Sequence, residues 1–113
     1  MSTASGRLAE DAAATYLRGK GFEVIGQNWR TRWCEIDLIA SKDSLTYFVE
    51  VKYRRSTDWG SGLEYITPKK LQQMDVAARF WVASHNGIGD YRLSAIELTD
   101  DPPQVTEWVE EIY

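Results

Sequence analysis

Cysteine is nearly absent from this chain of 113 residues. Its single thiol, Cys34, has no partner for an internal disulfide and is too few for a cysteine metal site. It gives no sign of an oxidising compartment. Long apolar runs are missing too, and none approaches the roughly 20 residues that span a bilayer. The start, MSTASGRLAED, is polar and lacks the apolar stretch of a secretory signal. Repeats, low-complexity tracts and linker-like segments are also lacking. Together these absences lead to the expectation of one cytoplasmic domain over residues 1–113, without a membrane partner, ending in an acidic tail segment from about residue 100 to 113.

Basic charge is in deficit, with 13 Lys and Arg against 17 Asp and Glu for a net charge of −4. That balance at first argues against a nucleic-acid partner. Its distribution argues otherwise, because residues 1–80 hold twelve basic and ten acidic groups, whereas residues 81–113 set Arg92 alone against seven carboxylates. The first two thirds are therefore mildly basic. A divalent cation held by carboxylates there would make the local field more positive still.

Hydrophobic periodicity divides the chain into α-β-β-β-α-β. Leu8, Ala12, Ala13, Tyr16 and Leu17 recur at helical spacing over about residues 5–19, and Gly19 and Gly21 stop the run. FEVIGQNW (22–29), CEIDLIA (34–40), LTYFVEVKY (45–53) and YRLSAIEL (91–98) read as strands. A loop containing Gly60 and Gly62 leads to the clearest helix start in the chain. There Thr67 can cap, Pro68 suits the first helical position, and Leu71, Met74, Ala78, Trp81 and Val82 form a stripe ending near Asn86-Gly87. The last segment, QVTEWVEEIY, fits strand and helix equally. This order predicts an α/β fold in which a central mixed β-sheet carries a helix on each side.

The second and third strands hold the chemistry. With residues 41–44 as the turn, paired positions sum to 85, so Asp37 faces Phe48 and Glu35 faces Glu50. Residues opposite or two apart across a hairpin share a face, which sets Asp37, Glu50 and Lys52 on one side with Asp37 diagonal to Glu50, about 7 Å away. Neighbouring carboxylates on a covered sheet face need exposure to water, a shared proton or a cation. Oxygen-only donors suit a hard cation, Mg²⁺ or Mn²⁺, and Lys52 beside it could contact a phosphate or stabilise charge in a transition state. Chance alone supplies about one acid-x-lysine triplet in a chain of this composition. A solvated strand face with a cross-strand ion pair therefore remains open.

Other features point the same way, each with a plain alternative. In NWRTRW (28–33), Arg30 and Arg32 can hold phosphates, and Trp29 and Trp33 can stack on unpaired bases. Equally, the indoles can cover a core edge while the arginines are solvated. Arg54-Arg55 and Lys69-Lys70 are basic pairs flanking the candidate site. Lysines in the first turn of a helix oppose its dipole, which a nearby anion would relieve. His85 reads as a helix-terminal surface residue rather than a ligand or base.

EIDLIA (35–40), FVEVKYR (48–54) and ITPKKLQQM (66–74) resemble, in order, the motifs of the YraN-like family of bacterial proteins. Glu10 with Ala13 and Tyr16-Leu17, and NWR (28–30), match as well. That resemblance implies a restriction-endonuclease-like α/β/α sandwich, similar to archaeal Holliday-junction resolvases. It implies Asp37 and Glu50 as metal-binding acids, Lys52 as the catalytic lysine and Glu10 as the helix glutamate completing the site. Lys70 would match the lysine that opens the second helix, Gly60 a loop glycine, and Glu35 a frequent acid without an assigned role. Cys34 stands where glycine is frequent, and Arg92-Leu93-Ser94 replaces an arginine-aromatic-aspartate run. The implied function is a Mg²⁺- or Mn²⁺-dependent endonuclease, acting on nucleic acid, with branched or structured DNA and a homodimer suggested by the resolvases. The alternative is a non-catalytic module of the same fold that binds nucleic acid or protein.

Overall fold

The structure, a computed structural model, describes residues 4–54, 66–85 and 89–112. Arg55, Gly60, Gly62 and Asn86-Gly87 lie outside the described residues. The elements are α1 (Ala4–Gly19), β1 (Glu23–Arg30), β2 (Glu35–Lys42), β3 (Leu45–Arg54), α2 (Pro68–Ser84), β4 (Tyr91–Thr99) and β5 (Gln104–Val109). The strands form one sheet in the order β1-β2-β3-β4-β5. Only β3 and β4 run parallel; the other neighbours are antiparallel. A parallel pair needs a crossover, and α2 supplies it on one face while α1 covers the other. The result is the expected α/β/α sandwich around a mixed sheet.

Strand alternation sorts the core into two layers. Leu38, Ala40, Val49, Ile96 and Leu98 pack against α1, whose buried face is Ala9, Ala13, Ala14 and Leu17. Small alanines let the helix lie close to the sheet. Leu8, expected on this stripe, is 56% exposed, because the alanine face one residue further on is the one that fits. Phe22 N–H returns to Leu17 O (3.0 Å) through Gly21 at φ +93°, so this glycine reverses the chain out of α1. On the opposite layer, Phe48 meets Trp81 and Tyr91 edge-on, each at 5.5 Å between ring centroids. Burying such a ring contributes about 1.5–3 kcal/mol.

α2 begins as its sequence predicts, with Thr67 Oγ1 accepting from Lys70 N–H at 3.1 Å and Pro68 following. His85 caps its other end, exposed and stacked on Trp81 at 4.3 Å. The ambiguous C-terminal segment contributes a strand. β5 pairs with β4, and Trp108 packs edge-on against Phe22 at 5.6 Å. Among the described residues no helix is long and apolar enough to cross a membrane.

The β2–β3 register differs from the expected one. Lys42 pairs with Leu45 and Leu38 with Val49, so paired positions sum to 87 and not 85. Asp43 (φ 51°) and Ser44 (φ 66°) are both left-handed, which makes a tight two-residue hairpin turn in place of the four-residue turn. A slip of two residues preserves the face of every side chain. It also brings the acids closer, because the register continued one step beyond Leu38–Val49 sets Asp37 directly across from Glu50.

Candidate active site

The site begins where the β2–β3 ladder ends. Beyond the Leu38–Val49 pair, Val51 N–H donates to Asp37 Oδ2 at 2.8 Å, so a side chain takes the place of a backbone acceptor. This bond turns the Asp37 carboxyl toward β3, where it shares a hydrogen bond with Glu50. Burial, then the Glu50 charge, push the Asp37 carboxyl up to about 8, against the opposing pull of the Val51 N–H. The hydrogen bond with Glu50 works in the same upward direction. The second oxygen of Glu50 is not idle, since Lys70 Nζ stands 2.6 Å from Oε2. Burial lowers the Lys70 pKa, but the hydrogen bond and charge of Glu50 outweigh it and hold the ammonium above its ordinary value.

Glu10 enters from α1. It is 8% exposed, and its Oε1 accepts from Asn28 Nδ2 at 2.7 Å. Its charge also raises the Asp37 carboxyl, as the weakest of the causes. Successive strand residues normally point to opposite faces, yet Gln27 Nε2 reaches Asp11 (3.3 Å) and Asn28 reaches Glu10. Asn28 sits at φ 51°, a left-handed conformation that asparagine tolerates, and this break in the alternation lets both amides serve α1. The polar row thus consists of Glu10 bonded to Asn28, with the Glu10 charge felt at Asp37, and of Asp37, Glu50 and Lys70 joined in turn.

Lys52 lies two residues along β3 on the Glu50 face, half-buried, in register with Glu97 of β4. Glu97 is 2% exposed and is bound by Arg54 Nε at 3.3 Å and Thr106 Oγ1 at 3.2 Å. Arg54 therefore turns inward to a buried carboxylate. Of the other expected phosphate contacts, Arg30 lies 3.7 Å from Glu35, Arg32 lies over Trp33, and Lys69 and Lys70 line a groove beside Glu50. Trp29 packs into the α2-side core, whereas Trp33 is 75% exposed.

Space is available at both scales. The groove beside Glu50 has a volume of about 440 Å³ between the Trp33–Glu35 segment and the first turns of α2. A pocket of about 10 Å³ touches both Asp37 and Glu50, which is room for a single water-sized guest. Among the described residues no three His, Cys, Asp or Glu side chains form a ready-made metal cage. The pair nevertheless suits Mg²⁺, which binds through one or two carboxylates and keeps waters and substrate phosphates as its remaining ligands.

Two residues of this arrangement had escaped the sequence reading. Asn28 gives no sign of its role, since an asparagine in a strand pattern looks like a solvent-facing residue. Glu97 counts as one more acid of an acidic C-terminal third. Its place inside the otherwise uncharged run LSAIELT was the available signal.

Residues 9–98 match the pattern of an uncharacterised protein family, UPF0102. The chain belongs to this family. The YraN-like proteins that the motifs resemble are the same UPF0102 proteins, and the family is described as restriction-endonuclease-like. A UPF0102 protein of Syntrophomonas wolfei is 43% identical over 84 residues, covering 74% of this chain and 73% of its own. One of Herpetosiphon aurantiacus is 39% identical over 107 residues, with 85% and 82% covered. One of Thermus thermophilus is 42% identical over 80 residues, with 71% of each chain covered. The UPF0102 span includes Glu10, Asn28, Asp37, Glu50, Lys52, Lys70 and Glu97, so the whole polar row lies inside it.

Proposed function

We propose that this UPF0102 protein is a metal-dependent nuclease that hydrolyses phosphodiester bonds in nucleic acid. One observation carries the reading: Asp37 and Glu50 interact across β2 and β3, and a water-sized pocket is lined by both residues. Without a cation, the pair relies on a shared proton and on the Lys70 ammonium to offset its charge. A hard cation would replace both. Bound Mg²⁺ or Mn²⁺ would supply Lewis acidity toward the phosphate and the attacking water.

The chain's own residues do the rest. Asp37, fixed by Val51 N–H, and Glu50 offer preset oxygen donors, with Glu10 held nearby by Asn28. Lys52, on the same face, places positive charge where the phosphoryl oxygens become more negative. Lys69 and Lys70 line the groove that the substrate backbone would follow, and Lys70 is freed for phosphate when Glu50 takes another cation. The likeness to junction resolvases favours DNA with branches or other structure, cut by a homodimer whose two sites address two strands.

The test is incubation with junction, flap, single-stranded and plasmid DNA, and with RNA, under Mg²⁺, Mn²⁺ or EDTA. Cleavage is expected with either metal, none with EDTA, and none by Glu50→Ala or Lys52→Ala. Absence of metal-dependent cleavage on every substrate, with binding kept in both variants, would leave the non-catalytic binding module as the reading.

A further inference from the structure

Among the described residues Trp33 is the most exposed of the large apolar ones, at 75%. Its position is nevertheless built. Thr31 Oγ1 accepts from Trp33 N–H and Cys34 N–H, each at 3.1 Å, and Thr31 N–H donates to Cys34 O at 2.8 Å. The turn's backbone is therefore fixed, and it presents the indole to solvent beside the half-exposed Phe80 ring, 6.4 Å away between centroids, against the usual gain from burying it. That indole forms one wall of the groove that ends at Glu50, and Lys69, Lys70, Gln72, Gln73, Met74 and Val76 line the other, with the acidic Glu35 also in the lining. Arg32 lies 5.7 Å from the ring centroid.

We propose that this groove seats an unpaired nucleotide, with its base stacked on Trp33 and a flanking phosphate held by Lys69. The substrate class of the neighbouring carboxylate site is then nucleic acid with a single-stranded or unstacked base beside the scissile phosphate, an inference that rests on the nuclease reading only for the cutting step. Chemistry on the groove's two walls selects the occupant. An apolar protein helix laid on Trp33 would desolvate Lys69 and Arg32 without pairing them. A nucleotide meets both needs, because its base has an apolar π-face and its phosphates are anionic. The side-chain amides of Gln72 and Gln73 offer donors and acceptors to base edges. A paired base inside a duplex cannot give its face to the indole, so the seat discriminates by strand state and not by sequence.

Binding in EDTA separates the seat from catalysis. Fluorescence anisotropy with dye-labelled oligothymidine, a blunt duplex and an oligothymidine carrying abasic residues reads it directly. Trp33→Ala is expected to weaken single-strand binding about tenfold, the size of one base–aromatic stack, and to leave duplex binding unchanged. Trp33→Tyr should retain most of the affinity. Abasic strands should bind the unaltered protein as weakly as Trp33→Ala binds normal strands, with no further loss when the two are combined. Equal losses on single strand and duplex, or no loss, would overturn the proposal. So would a dimer in sedimentation velocity that Trp33→Ala dissociates, since a second copy would then occupy the patch. Strand-selective, Trp33-dependent binding with no metal-dependent cleavage would keep the seat and remove the nuclease reading. Cleavage without any Trp33-dependent preference would remove the seat alone.

Discussion

Lys70 Nζ stands 2.6 Å from Glu50 Oε2, an ammonium lodged against a carboxylate that a cation would need. Lys70 is 37% exposed in this pair and Glu50 17%, so solvent screens the bond only in part. A lysine so placed competes with a divalent ion for the same oxygen. Lys70→Met should therefore tighten Mn²⁺ binding about fivefold, equivalent to roughly 1 kcal/mol, while costing metal-free stability a similar amount. Isothermal titration with Mn²⁺ and thermal melts in EDTA measure the two effects. Weaker Mn²⁺ binding in Lys70→Met would mean that Lys70 organises the site and does not compete for it.

The raised Asp37 carboxyl gives the metal-free protein a defined pH dependence. Its pKa moves from 3.8 to about 8, so the folded state binds a proton that the unfolded state has already lost. Stability from this group is complete below about pH 4, declines as pH rises toward 8, and is gone above that. Asp37→Asn should consequently stabilise the metal-free protein at pH 9, on the order of a few kcal/mol, and change little at pH 4. Mn²⁺ competes with the same proton, so its affinity for the unaltered protein should rise across pH 6 to 8. A flat stability difference between Asp37→Asn and the unaltered protein over that range would show that the carboxyl is ionised throughout.

The common face of Asp37, Glu50 and Lys52 was legible in the sequence because strand side chains repeat every two residues, and a slip of two residues leaves parity intact. Turn length was not legible. SKDS lacks the Asn-Gly or Asp-Gly pair that marks a two-residue hairpin, and only the left-handed pair Asp43-Ser44 reveals it. QVTEWVEEIY was ambiguous because Val105, Trp108, Val109 and Ile112 fit a helical stripe as well as a strand; the open edge of β4 and the Phe22 ring decide it. Arg54 looked like a phosphate contact because its partner Glu97 is distant in sequence and adjacent only through the parallel β3–β4 pairing.

That ion pair makes its own prediction. Glu97 is 3% exposed at its side chain and Arg54 19%, and removing one partner of a buried pair leaves an uncompensated charge. Arg54→Ala should destabilise the fold by about 3 kcal/mol, with Glu97→Gln in the same chain recovering part of the loss. Urea denaturation of the two single variants and the double variant gives the coupling. If Arg54→Ala instead keeps its stability and loses affinity for oligonucleotides, the guanidinium belongs to the nucleic-acid surface.

Asn28 carries two separable contributions, a hydrogen bond to Glu10 and a backbone at φ 51°. Asn28→Gly keeps the backbone accessible and removes the amide, whereas Asn28→Ala removes the amide and strains the left-handed conformation. The glycine variant should lose about 1.5–3 kcal/mol, the worth of a hydrogen bond to a charged acceptor, and the alanine variant should lose roughly 1 kcal/mol more. Loss of the amide changes how Glu10 is held near Asp37, so both variants should bind Mn²⁺ with altered affinity even where they remain folded. Equal stability of the glycine and alanine variants would show that the backbone at residue 28 relaxes once the amide is gone. Unchanged Mn²⁺ affinity in both would separate Glu10 from the metal site and leave Asp37 and Glu50 as its only protein ligands among the described residues.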